Sequence, residues 1–363
     1  MRPIGSPLPA ISVGTSQYNY IVNGDFSINQ RRPATATSAT GSATFGGYAI
    51  DRWVFVTGTG NTSTLTLTPT DLAFGHFTIS PNGIGVSYPG VYVTDRVLRV
   101  SSSTSVTGTS GYIQTEIEDA STLSGKTCTL SGSIYTTSGS LGPYGIQLFQ
   151  IFGTGGSPSA NVTVLNTTFT NSIIQNWEFF STTFVMPSVY GKTEGTNSDS
   201  RLALRILNQS NVTTDYYTAN WQLEEAPYYT GFHKRTFQEE LQLCKRYYQK
   251  SFGVNQLATS NIPGGRHFFP YLTNSTTAGG GGFGSIPLPV EMRKVPTCVI
   301  WNPSAIGGAN QVINYSTNTA CTSTAQENTT NPKVFNFTYT PPASTAFGHM
   351  MGAHFEAKAD FND

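Results

Sequence analysis

Residues 221–253 read WQLEEAPYYTGFHKRTFQEELQLCKRYYQKSFG, and the change of period inside this stretch decides the fold. Residues 216–224 (YYTANWQLE) are rich in aromatic side chains and read as a β-strand. A Pro-Tyr-Tyr-Thr-Gly loop follows. Thr236 then stands three positions before Glu239, the capping-box spacing, in which each side chain satisfies a backbone N–H left without a partner by the first helical turn. Phe237, Leu241, Cys244 and Tyr248 recur at steps of four, three and four, which is one face of a helix. Glu239 and Glu240 come early and Lys245, Arg246 and Lys250 late, the order the helix dipole favours. Gly253 is the expected stop. The stretch predicts a strand and then a linking helix over 231–253, in a chain that otherwise reads as β-structure.

Upstream, residues 18–22 and 26–30 flank Asn23-Gly24-Asp25, a turn-forming set. Residues 33–47 are Ala, Thr, Ser and Gly with little to bury, and predict an exposed loop. Strands are expected over 48–56, 91–100, 112–117, 127–135, 144–152, 178–186 and 201–207. Cys128, Leu130, Gly132 and Ile134 share one face, as do Leu202, Leu204 and Ile206. About ten short strands predict a jelly-roll β-sandwich over 18–230. Residues 1–17, with Pro3, Pro7 and Pro9, predict an extended arm without a core. Downstream, 254–265 has the composition of a linker, and strands are expected over 266–273, 286–290, 297–301, 334–339 and 347–361. The fold class is all-β: a sandwich, one linking helix, and a smaller C-terminal β domain over 254–363.

Charge narrows the function. The 363 residues carry 20 basic and 20 acidic side chains, only 11% of the chain. With no basic excess to displace counterions from phosphates, a nucleic-acid partner is disfavoured. No apolar run approaches the roughly 18 residues a membrane helix needs, and the first residues do not read as a signal peptide. Cys128, Cys244, Cys298 and Cys321 show no metal-ligand spacing. Cys128 and Cys244 read as buried small hydrophobes. Cys298 and Cys321 share the C-terminal region, where reduced thiols are expected in preference to a disulfide. For hydrolysis, Glu116 and Glu118 are a candidate carboxylate pair, two apart on one strand face. A solvated strand face is the plainer reading, and the chain is not expected to be an enzyme.

The residues WQLE at 221–224, followed by ELQLCKRYY at 240–248, resemble a module of bacteriophage tail and tail-fibre proteins. Those proteins also carry an N-G-D-F-x-I-x-Q-R run and a D-R-W, here residues 23–31 (NGDFSINQR) and Asp51-Arg52-Trp53. A P-T-x-x-x-x-N-P run in their C-terminal unit matches residues 296–303 (PTCVIWNP). The resemblance implies a virion location and a structural or adhesion role. The expected protein is a non-enzymatic tail-fibre, receptor-binding protein, attached to other tail or baseplate proteins by its N-terminal arm and contacting a host-surface glycan or receptor. The alternatives are a purely structural head-decoration or baseplate component, and a polysaccharide depolymerase.

The stretch N-x-x-x-N-G-x-F at 19–26 also resembles the opening strand of sugar-binding sandwich modules attached to polysaccharide-degrading enzymes. Such modules bring their first and last strands together around a structural calcium. The resemblance implies oxygen ligands at Asn23, Asp25 and Glu224; read alone, Asn-Gly-Asp is an ordinary turn. No other cofactor is expected. Sugar recognition without cleavage calls for aromatic platforms, and Trp177, Tyr190, Tyr216 and Tyr217 are candidates in the sandwich. Trp301 and Tyr315 are the expected ligand-binding residues, beside C-terminal loops at 274–285 and 303–332. The helix face of Phe237, Leu241, Cys244 and Tyr248 is the expected seam of a homotrimer, with packing on the chain's own sandwich as the alternative.

Overall fold

The computed structural model describes residues 18–31, 37–39, 45–56, 65–71, 96–102, 111–136, 143–171, 177–207, 215–254, 256–259, 261–262, 264–272, 281–304, 308–326, 331–342 and 345–361. The expected arm at 1–17 lies outside them. In chain order the strands are β1 (Thr37–Ala39), β2 (Phe45–Ile50), β3 (Trp53–Val56), β4 (Leu65–Asp71), β5 (Arg96–Ser102) and β6 (Tyr112–Glu118). They continue with β7 (Thr127–Thr136), β8 (Tyr144–Ile151), β9 (Val162–Phe169), β10 (Trp177–Val185), β11 (Arg201–Leu207) and β12 (Asp215–Glu224). Helix α1 (Phe237–Lys245) follows. After it come β13 (Tyr248–Lys250), β14 (His267–Pro270), β15 (Gly282–Pro287), β16 (Thr297–Trp301), β17 (Gln311–Asn314), β18 (Thr319–Gln326), β19 (Val334–Thr340) and β20 (Met350–Lys358).

The first twelve strands form two six-stranded antiparallel sheets, β1-β4-β5-β12-β7-β10 and β2-β3-β6-β11-β8-β9. Their inner faces share one core. Leu98, Cys128, Leu130, Ile134, Tyr216 and Trp221 meet Trp53, Phe55, Ile113, Ile146, Leu202 and Leu204, all buried. This is the jelly-roll-like sandwich the alternating pattern predicts. Gly132 interrupts the apolar face of β7 for a steric reason: a Cβ there would stand 2.6 Å from Cδ2 of the Trp221 ring. The ring's N–H donates to Thr218 Oγ1 at 2.6 Å, so a large apolar side chain is buried with its one polar atom satisfied.

The later strands form a third, eight-stranded sheet, β13-β20-β17-β18-β19-β15, with β14 and β16 also paired to β20. It closes on a separate core that includes Tyr271, Ile286, Val312, Phe335, Phe337, Met351 and Phe355. Among the described residues no helix is long and apolar enough to cross a membrane.

Several local expectations are corrected. Residues 48–56 are a hairpin, β2 and β3, turned at Asp51–Arg52, with Arg52 at φ +69°. Residues 18–30 form no strand; Asn23 and Phe26 are left-handed (φ 59° and 57°) and side-chain hydrogen bonds hold the segment instead. The loops expected at 33–47, 274–285 and 303–332 contain β1, part of β2, part of β15, and the β17–β18 hairpin. The helix begins as predicted, with Thr236 and Glu239 in a reciprocal capping box. It stops at Lys245, well before Gly253, because Tyr248–Lys250 pairs with β20. All four cysteines are free thiols.

Candidate functional site

Four of the five sequence runs that resemble tail proteins, all but residues 296–303, converge on one place, the joint between the sandwich and the C-terminal domain. Asn23 is fully buried. Its side-chain amide donates to the carbonyls of Ile28 (2.8 Å) and Asp51 (2.7 Å), its amide oxygen accepts from Ile28 N–H, and its backbone N–H donates to Glu240 of α1. Gly24 is required because its neighbour is backbone: a Cβ would lie 2.1 Å from the Trp221 carbonyl oxygen, while its own carbonyl accepts from Trp221 N–H. Gly24→Ala is therefore expected to cost about 1–3 kcal/mol as overpacking. A thermal melt of this variant that coincides with wild type would show that the contact yields freely. Phe26 packs on Trp53, whose indole N–H donates to Asn23 O at 2.9 Å. Ile28 closes a small cluster with Leu241 and Cys244.

Charge enters the joint through Arg52, which is buried, and Arg31, which is largely so. Arg31 pairs with Asp360, and its guanidinium lies between the rings of Tyr48 (4.2 Å) and Tyr248 (4.3 Å). Arg52 lies 3.4 Å from the Tyr247 ring centroid and 3.6 Å from the other Asp360 oxygen, and donates to Glu116 O. Burial works against the Arg31 charge, and Asp360 and Asp51 outweigh it. Asp51 takes the Gln30 N–H and side-chain amide, while burial pushes its carboxyl upward. Arg246 holds Glu118 through two bonds of 2.5 and 2.7 Å. Arg293 donates to the carbonyls of Ser198, Ala359 and Asp360, and so spans both domains. Tyr247 and Tyr248 leave the helix because their rings serve Arg52 and Arg31 and their backbone serves β20 and its extension.

This placement decides several expected roles. Glu116 is buried and ion-paired with Arg201 at 3.1 Å, and Glu118 is held by Arg246. They are parts of the joint and not a solvated strand face. Leu241 and Cys244 are covered by Ile28, with Val22 and Val254 against them, and Tyr248 lies in a strand. Only Phe237 of the expected trimer seam is exposed, at 47%. That seam is corrected: the chain itself occupies it. Of the residues considered for calcium, Asn23 is engaged as above. Asp25 accepts from Ser27 N–H, and both carboxylate oxygens of Glu224 accept from Thr230. Among the described residues no three His, Cys, Asp or Glu side chains stand close enough to share a metal ion.

A row of aromatic side chains lies elsewhere, on the outer face of the first sheet. Strand register aligns Trp177 of β10 with Tyr135 of β7, Tyr135 with Tyr217 of β12, and Tyr217 with Arg99 of β5. Ring centroids are 5.6 Å apart between Trp177 and Tyr135 and 5.9 Å between Tyr135 and Tyr217. The Arg99 guanidinium lies 5.7 Å from the Tyr217 centroid. All four side chains are half-buried. The other half of this face is covered by the segment after β12. Ala226 O and Pro227 O accept from Thr129 and Thr183, Gly231 O accepts from Gln222, and Tyr229 packs 4.6 Å from Phe179. The result is a transverse row of three aromatic rings beside a raised strap. Pairing places outward residues of neighbouring strands side by side, but the row is invisible until the non-sequential strand order is known.

Of the other aromatics expected to bind, Tyr216 is core and Tyr190 is 95% exposed on a loop. Trp301 is half-buried opposite His354, its indole N–H enclosed and without a hydrogen bond among the described residues. Tyr315 is half-buried against Gly352, 5.5 Å from Phe268.

No protein family and no curated protein sequence matches the chain. Solved structures similar to it include the enzymatically active domain of tailspike protein 4 from bacteriophage CBA120, with TM-score 0.32 and 11% identity over 58% of this chain and 22% of that one. The chain thus spans under a quarter of that domain. The C-terminal family 22 carbohydrate-binding module of Clostridium thermocellum Xyn10B matches with TM-score 0.32 and 12% identity, over 58% of this chain and 95% of the module. The family 11 carbohydrate-binding module of the cellulosomal cellulase Lic26A-Cel5E of Clostridium thermocellum gives 0.28 and 14%, over 54% and 99%. At these scores no residue or activity is carried across.

Proposed function

We propose that this chain is a non-enzymatic virion protein of the tail-fibre, receptor-binding kind, attached to the particle through residues 1–17 and reading a host-surface glycan. The observation that carries the glycan reading is the half-buried row Trp177–Tyr135–Tyr217 on the outer face of the sandwich. Three aromatic rings at successive centroid spacings of 5.6 and 5.9 Å, inclined to one another by 49° and 72°, supply apolar surface on which the C–H groups of a sugar can pack. The virion reading rests on the motif resemblance. Engagement of Glu116 and Glu118 in the joint argues against their use as a hydrolytic pair. Three-fold assembly stays in the proposal on the resemblance and the low charge, with no seam assigned; light scattering that reports a monomer mass removes it.

The test is a host-glycan array probed with the intact protein and with Trp177→Ala and Tyr217→Ala. Binding is expected to weaken about tenfold or more in each variant, through lost ring contact worth about 1–2 kcal/mol, with unchanged melting. If no host glycan is retained, the protein is a structural head-decoration or baseplate component. If both variants bind like wild type, the row is not the site. Release of reducing ends from host capsule would identify a depolymerase.

A further inference from the structure

We propose that the outer face of the C-terminal sheet carries a second saccharide site, selective for a carboxylate-bearing sugar and built on Arg266, Phe268 and Tyr315. Phe268, Pro270 and Leu272 alternate outward along and just beyond β14, and Met350 of β20 stands opposite Pro270. Phe268 is 53% exposed and Leu272 68%, a concentration of apolar surface that a soluble sheet face does not need for its own packing. Tyr315 crosses this face from the end of β17. Its N–H donates to Met350 O at 2.9 Å, and its ring lies on Gly352, where a Cβ would be 2.4 Å from Cε2. The missing side chain at Gly352 lets the tyrosine ring lie close against the sheet, 5.5 Å from Phe268.

Arg266 supplies the charge. Its guanidinium carbon is 4.9 Å from the centroid of each ring, so two aromatic neighbours orient it. It is the only charged residue between Lys250 and Glu291 in sequence, and among the described residues no carboxylate pairs with it. A half-buried guanidinium with no carboxylate beside it among the described residues, next to an exposed phenyl ring, matches an acidic sugar in both parts. The carboxylate takes the N–H fork, and the apolar ring face lies on Phe268. Neutral sugars satisfy only the second contact. The site is on a different domain from the Trp177 row, and neither depends on the other.

Titration of the intact protein with trigalacturonic acid and with sialyllactose, each against its neutral counterpart galactotriose or lactose, tests the assignment. At least one acidic probe is expected to bind, with its neutral counterpart about tenfold weaker or more. Arg266→Gln should abolish that preference, Phe268→Ala should weaken binding of the acid, and Trp177→Ala should leave both unchanged. All three variants should melt like wild type, since these side chains are exposed or half-buried. Binding of only one acidic probe names the sugar and supports the site. Failure of both acidic probes at millimolar concentration, or an acid preference that survives Arg266→Gln, overturns it. Loss of the preference in Trp177→Ala would assign it to the sandwich face instead.

Discussion

Asp360→Ala is expected to destabilise the protein by about 3–5 kcal/mol, because removing one partner leaves buried charge without compensation. Asp360 is fully buried and faces two arginines, Arg31 directly and Arg52 at 3.6 Å. Both guanidiniums are walled by aromatic rings, so water cannot easily take the place of the carboxylate. Urea unfolding monitored by fluorescence measures the loss. A variant within about 1 kcal/mol of wild type, the scale of an exposed pair, would mean that the joint is not held by its charges.

The second large effect is expected at the centre of the sandwich. Trp221→Ala should cost about 3–5 kcal/mol, as for other buried aromatic truncations, because the ring leaves a cavity that rigid sheets fill only partly. The same ring forbids any side chain at Gly132. Gly132→Val should therefore destabilise wild type yet recover part of the loss in the Trp221→Ala background, an interaction read by a double-mutant cycle. Additive losses, with no recovery, would show that the glycine answers to something other than the indole.

Much of this arrangement is legible in the sequence, for identifiable reasons. The capping box at Thr236 and Glu239 is local chemistry, and it reads correctly. Residues 201–207 and 297–301 alternate or run apolar without interruption, and both are strands over the expected ranges. The two-core organisation follows from the same patterning. What periodicity cannot show is competition for a residue. Tyr248 fits the helical face at the right step, yet the Arg31 guanidinium and the edge of β20 claim it. Residues 18–30 carry strand-like composition, but Asn19 and Asn23 satisfy the backbone by side chain and make a ladder unnecessary.

The candidate binding surfaces were legible only in part. Trp177, Tyr217 and Tyr315 stand out as aromatics in polar surroundings, but nothing in sequence brings Tyr135 between the first two. Their alignment depends on β12 lying between β5 and β7, a pairing of strands far apart in the chain. Arg266 carries no signal beyond its isolation among uncharged residues. The residues that carry the motif resemblance have an architectural place in this chain: NGDF, NQR, DRW and RYY meet in the joint.

The central claim is that this joint couples the two β units into one cooperative body, even though the composition of 254–265 reads as a separable linker. Hydrogen exchange followed by mass spectrometry along a urea series tests it directly, comparing amides of β7 with those of β19. The slowest amides in both strands should lose protection at the same urea concentration and with the same slope, as expected of one cooperative unit. Loss of protection in β19 at lower urea, while β7 retains its full protection, would contradict the account.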